Sequence, residues 1–110
     1  MANEIKELMR EIDVFTQERD WDQFHNGKDL ALALSIETAE LNEAFLWKDP
    51  KDVKIEKVKE ELADIFNYAI LIADKYDLDI KRIVLEKLRR NEEKYPVSKA
   101  YGNAKKYTEL

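Results

Sequence analysis

Cysteine is absent from all 110 residues, which excludes disulfides and thiolate metal sites. The same absence fits a reducing cytoplasm. Glycine and proline occur only twice each, while Ala, Leu, Ile, Glu and Lys are abundant, a composition that favours helices over strands. No apolar run approaches the roughly 18–20 residues that a helix needs to cross a bilayer, so no membrane partner is expected. The N-terminus is charged from Glu4 onward and lacks an apolar signal core, so no secretory leader is expected either. Basic charge is in deficit: 19 Lys and Arg against 24 Asp and Glu give a net charge of −5. That balance argues against a non-specific nucleic-acid binder, which needs a basic stripe. It leaves room for a small phosphate ligand where metal ions and local lysines supply positive charge. There is no P-loop, no G-x-G-x-x-G and no Ser or Cys nucleophile motif, so any phosphate chemistry must be metal-directed.

Apolar periodicity predicts four helices. The first covers about residues 3–20, capped by Asn3, with Ile5, Leu8, Met9, Ile12 and Phe15 on one stripe. A connector over residues 21–28 contains the turn signal Asn26-Gly27. The second helix starts near Asp29 as N-cap and ends by Asp49-Pro50. The third covers about residues 52–76, with Val58, Leu62, Ile65, Phe66, Ala69, Ile72 and Ala73 as its core face. The fourth is capped by Asp79 and runs to about residue 93, with Ile80, Ile83, Val84 and Leu88 facing inward. Tyr95-Pro96 ends it, and residues 97–110 show no clear periodicity. Short connections favour antiparallel neighbours, so the expected fold is an all-α, four-helix antiparallel bundle over residues 1–96, followed by a tail over 97–110.

Two acidic pairs interrupt this pattern. Glu37 and Glu40 lie one helical turn apart in the second helix, and Glu61 and Asp64 do so in the third. Most such pairs are solvated faces. Here, however, Glu37 falls within the stripe Leu30, Leu34, Leu41 and Ala44, where a packing helix would carry Leu or Ala. Lys57, Glu61, Asp64 and Tyr68 form a polar stripe through the most apolar part of the chain. Carboxylates aimed at a core need partners to stay ionised. Four of them on facing helices suit a hard divalent cation such as Mg2+, with Mn2+ as a substitute. A ferritin-like di-iron site is disfavoured, because the single histidine, His25, lies in a connector and in no Glu-x-x-His motif. Trp21, Trp47 and Tyr68 are either core residues or a stacking wall for a nucleobase. Lys87 and Asn91, one turn apart, are either surface residues or binders of phosphate oxygens.

The motifs in their order resemble the MazG-like, all-α nucleoside triphosphate pyrophosphatases, most closely the dCTP pyrophosphatase branch. Glu37-x-x-Glu40 is followed after twenty residues by Glu61-x-x-Asp64. Around them stand Arg19-Asp20-Trp21-Asp22-Gln23-Phe24-His25, Glu40-Leu41-x-x-x-Phe45-x-Trp47, Lys87-x-x-x-Asn91-x-x-Lys94-Tyr95-Pro96 and Lys106-Tyr107-Thr108-Glu109-Leu110. The resemblance implies Mg2+ held by Glu37, Glu40, Glu61 and Asp64. It implies a base enclosed by Trp21 and Trp47, with His25 near the entrance, and sugar and phosphates bound by Tyr68, Lys87 and Asn91. It also implies a homo-oligomer, a tetramer rather than a dimer, with sites drawn from more than one subunit. Two departures stand out: Ile36 precedes Glu37 where many members have a second acid, and Ile12 stands where some animal members place a base-pocket histidine.

The expected activity is Mg2+-dependent pyrophosphohydrolysis of a (d)NTP, dCTP or a modified dCTP foremost, in the cytoplasm. The metal would activate water, with Glu37 or Glu40 as the catalytic base. The alternatives are the same fold acting on another nucleotide such as dUTP, and a non-catalytic helical interaction module.

Overall fold

The computed structural model describes residues 3–110. Among them there are five α-helices and no strand: α1 Glu4–Glu18, α2 Gly27–Phe45, α3 Ile55–Lys75, α4 Ile80–Lys94 and α5 Val97–Ala100. Single 3₁₀ turns occupy Asp22–Phe24, Pro50–Asp52 and Tyr107–Glu109. The chain divides into two compact units, Met1–Leu78 and Asp79–Leu110.

Local chemistry sets the helix ends in the first unit. The N–H groups of Ile5 and Lys6 donate to Asn3 Oδ1 at 3.0 and 3.3 Å, which caps α1 as expected. The cap of α2 is Asn26 rather than the expected Asp29. Asp29 N–H donates to Asn26 Oδ1 at 2.9 Å, and Asn26 Nδ2 donates back to Asp29 Oδ2 at 2.8 Å. Asp29 is thus the answering half of a reciprocal cap and lies inside the helix. Gly27 follows because a Cβ there would collide with the Tyr76 ring and hydroxyl. The helix α3 starts at Ile55, later than expected, because Asp49 and Pro50 close a 3₁₀ turn and Val53 and Lys54 are extended. Asp20 and Asp77, just past α1 and α3, take positive φ of 54°. That left-handed turn is one that Asp tolerates and β-branched residues do not.

The helices α2 and α3 form the principal pair, and α1 packs on α3. Leu30, Ala44, Ile70 and Ala73 are buried between them, Leu30 most deeply at 2 % exposure. Leu34, Leu41, Ile65 and Ile72 are half-buried around that centre. The expected core face of α3 is only partly covered. Ala73 is buried and Val58, Ile65, Ala69 and Ile72 are half-buried, but Leu62 is exposed and Phe66 is 59 % exposed. Leu32 and Ile36 on α2 are exposed as well.

In the second unit, Asp79 Oδ1 accepts from Arg82 N–H at 3.1 Å and caps α4 as expected. Ile83, Val84 and Leu88 were expected to face inward and are instead exposed. The tail is not irregular throughout: it forms α5 and then returns toward the end of α4. Tyr107 meets the Tyr95 ring edge-on at 6.0 Å, with Lys94 Nζ 4.9 Å from the Tyr107 ring centre.

Candidate metal centre and adjoining cleft

The α2–α3 pairing turns two weak motifs into one acidic face. Glu37 from α2 and Glu61 and Asp64 from α3 each offer a carboxylate oxygen within 4.8 Å of the others. Glu61 is 4 % exposed, Glu37 half-buried and Asp64 exposed, so the face grades from the interior to solvent. Glu40 lies outside this closest set of three, but its carboxyl is near enough to help raise the Glu37 pKa.

Among the described residues, only one of these acids has a cation in contact. Lys57 Nζ lies 2.8 Å from Glu61 Oε1, one turn away on the same helix. That lysine holds the Glu61 carboxyl below its usual range, opposing the effect of burial. Glu37 goes the other way, its pKa pushed up to about 7. Burial is the main cause, followed by the Glu40 carboxyl and then the charges of Asp64 and Glu61. The Oε2 atoms of both Glu37 and Glu61 are buried without a hydrogen-bond partner. Two orphaned, buried carboxylate oxygens beside a third carboxylate are a poor protein interior and a good donor set for a hard divalent cation.

Asp64 also opens onto a cleft of about 500 Å³ between α1 and α3, within the size range of small-ligand sites. Leu8, Ile12 and Phe15 line it from α1, Tyr68 and Leu71 from α3, with Trp21 and His25 from the connector. Trp21 packs edge-on against Phe15 at 5.6 Å between ring centres, and the Arg19 guanidinium lies 3.8 Å above the Phe15 ring. Arg19 also donates to the Phe15 carbonyl at 2.9 Å, which fixes this aromatic wall to the end of α1. His25 Nδ1 is buried without a hydrogen-bond partner.

Of the predicted site residues, Glu37, Glu61 and Asp64 therefore come together, with Glu40 beside them, while Trp21, His25 and Tyr68 share the cleft that Asp64 opens. Trp47 does not line that cleft. It is 95 % exposed and takes a positive φ of 61°, a strained backbone for an aromatic residue. Lys87 and Asn91 belong to the second unit, where they line a shallow concavity of about 350 Å³ with Ile83, Val84 and Leu88.

Sequence reasoning missed three features. Glu11 and Asn67 also line the cleft. Asn67 lies three residues after Asp64, and that spacing was the available signal. A second acidic group, Asp13, Asp22 and Asp74, lines a smaller cavity of about 180 Å³ with His25 and Lys75. Asp13 is raised to about 6, first by burial and then by Asp74 and Asp22. Lys75 Nζ lies 3.3 Å from Asp22 Oδ1. Asp74 is far in sequence from Asp13 and Asp22, and the three share no helical spacing, so no motif announced them.

A profile of the MazG-like family matches residues 32–110, most of the chain. This chain belongs to the MazG-like family. It is 39 % identical over 106 residues to dCTP pyrophosphatase 1 of Rattus norvegicus and 37 % identical over 106 residues to that of Homo sapiens. In both cases the match covers 87 % of this chain and 61 % of the relative, so this MazG-like chain spans about three-fifths of their length. The fold is shared with a pyrophosphatase from Archaeoglobus fulgidus. That match has a TM-score of 0.79 and 33 % identity, covering 87 % of this chain and 95 % of the other.

Proposed function

We propose that this MazG-like protein is a Mg2+-dependent nucleotide pyrophosphohydrolase. It converts a deoxynucleoside triphosphate, dCTP or a modified dCTP foremost, to the monophosphate and pyrophosphate, and serves to cleanse the nucleotide pool. The observation that carries this reading is the pair of buried, unpartnered carboxylate oxygens on Glu37 and Glu61, next to an Asp64 that opens onto an aromatic-walled cleft. Pyrophosphatase activity in relatives that share the fold supports the same conclusion.

Glu37, Glu40, Glu61 and Asp64 hold the metal. When bound, Mg2+ supplies the positive charge that polarises the phosphoryl oxygens, acidifies water and neutralises the leaving pyrophosphate. Glu37 or Glu40 accepts the proton of the attacking water. Trp21 and Trp47 enclose the base, with His25 at the entrance, and Tyr68, Lys87 and Asn91 hold the sugar and phosphates. Trp47 does this from a second copy of the chain, which accounts for its exposure and strained backbone within one copy. The assembly is a homotetramer, which covers Leu32, Ile36, Leu62 and Phe66. Residues 1–96 form the pyrophosphohydrolase domain, and the tail over 97–110 packs on a neighbouring subunit. Among the described residues no helix is long and apolar enough to cross a membrane, and the protein works in the cytoplasm.

Pyrophosphate release from a panel of dNTPs and NTPs, with Mg2+ and with EDTA, tests the proposal. Metal-dependent release led by dCTP is expected. Release that EDTA leaves unchanged, or no release from any member, contradicts it.

A further inference from the structure

The cleft next to Asp64 has an apolar floor and aromatic walls, which bind a base by stacking but do not choose between bases. Choice needs hydrogen-bonding groups that meet the base edge. Thr16 lines the cleft, but its hydroxyl already donates to the Asp13 carbonyl at 3.0 Å. Asp64 belongs to the metal face. Trp21, His25 and Tyr68 already carry the proposed roles at the base face, the entrance and the sugar. Of the polar side chains that line the cleft, that leaves Glu11 on α1 and Asn67 on α3 without a role, both exposed to it. Among the described residues, neither side chain makes a hydrogen bond or an ion pair with the rest of the protein. Asn67 lies three residues beyond Asp64, so it sits next to the metal face on the way into the cleft.

A carboxylate only accepts hydrogen bonds, whereas an amide both donates and accepts. An acceptor and a donor that line one cleft together suit an edge that carries an exocyclic amino group next to an unprotonated ring nitrogen. Cytosine and adenine carry that edge, whereas uracil and thymine present a carbonyl next to a ring N–H. We infer that Glu11 and Asn67 are specificity-determining residues that read the base edge, with Glu11 accepting from the exocyclic amino group and Asn67 donating to the neighbouring ring nitrogen. This assignment rests on the pyrophosphohydrolase reading. It makes this protein selective for amino-bearing bases through a carboxylate that repels a carbonyl at the same position.

The test is kcat/KM for dCTP and dUTP, measured on the full chain with Mg2+, for the wild type, Glu11→Gln and Asn67→Leu. Glutamine keeps the size of Glu11 and adds a donor, so Glu11→Gln lowers the dCTP-to-dUTP ratio by about ten-fold or more. Its rate on dUTP rises, a gain that loss of a purely structural residue does not produce. Asn67→Leu lowers kcat/KM for dCTP by a similar factor. A ratio unchanged by Glu11→Gln while release persists overturns the base-reading assignment and leaves the pyrophosphohydrolase intact. A wild-type preference for dUTP also overturns it. No release by the wild type from any nucleotide overturns the pyrophosphohydrolase itself, and this assignment with it.

Discussion

Two acidic clusters lie in the first unit, and they differ in how their charge is met. In the Asp13, Asp22 and Asp74 cluster, Asp22 has Lys75 at 3.3 Å, and Asp13 is raised by burial and then by the neighbouring Asp74. In the Glu37, Glu40, Glu61 and Asp64 cluster, Lys57 reaches one oxygen of Glu61, and the other oxygen and one oxygen of Glu37 stay buried with no partner. Both clusters contain a carboxyl with a raised pKa, Asp13 at about 6 and Glu37 at about 7. A perturbed titration therefore does not separate them, because burial, and after it crowding of like charge, raises a pKa in either setting. Orphaned buried oxygens and an adjoining cleft of ligand size do separate them. Among the described residues, the first cluster has a lysine on Asp22 and no orphaned carboxylate oxygen, while the second keeps two carboxylate oxygens buried and unpartnered.

The strongest way to break this contrast is to remove one carboxylate from each cluster. Asp64→Asn or Glu40→Gln should lower kcat by at least about a hundred-fold, with the helical circular dichroism unchanged. Asp13→Asn should leave kcat within about three-fold. Similar losses from both clusters would remove the distinction.

A smaller effect is expected at the aromatic residues. Trp21→Ala removes a cleft wall and should raise KM by about ten-fold, because stacking contributes roughly 1–3 kcal/mol per base. Trp47→Ala should alter the preference among dNTPs and weaken the proposed tetramer, as read by analytical ultracentrifugation. Trp47→Ala with unchanged preference and assembly would detach that ring from the site.

Stability sharpens the comparison through pH. The Glu37 pKa is raised from 4.5 to about 7 on folding, so its contribution to stability is fully present below about pH 4.5 and is lost as pH rises through 7. The metal-free protein should therefore melt at a lower temperature at pH 8 than at pH 5.5. On the proposed reading Mg2+ binds the ionised carboxylates, so it should raise the melting temperature more at pH 8. The smallest effect belongs to Asp13, raised from 3.8 to about 6 with the same sign. Asp13→Asn should gain a few degrees at pH 8, with or without Mg2+. A gain that vanishes with Mg2+ would place Asp13 in the metal's surroundings.

Much of the second cluster was legible in the sequence because α2 and α3 each carry their acids one turn apart within an apolar stripe. Helical periodicity converts that spacing into a shared face, and a short connection brings the two helices together. The first cluster was not legible: Asp13, Asp22 and Asp74 come from two helices and a connector, and nothing local ties them. The α2 cap shifted from Asp29 to Asn26 because the pair caps reciprocally, and propensity alone does not say which partner leads. Apolar periodicity marked the four long helices and missed the short α5 in the tail. It overstated the core, because Leu62, Phe66, Ile83, Val84 and Leu88 are exposed in one copy. A stripe says that a face must be covered, and not whether the same chain covers it.

The central claim is that the Glu37–Asp64 face holds a divalent cation and the Asp13 cluster does not. Titration of Mn2+ into the protein, followed by the loss of its free-ion electron paramagnetic resonance signal, tests this directly for the wild type, Asp64→Asn and Asp13→Asn. The account predicts equal affinity for the wild type and Asp13→Asn, and a loss of at least about ten-fold for Asp64→Asn. Wild-type affinity in Asp64→Asn, or a loss confined to Asp13→Asn, would contradict it.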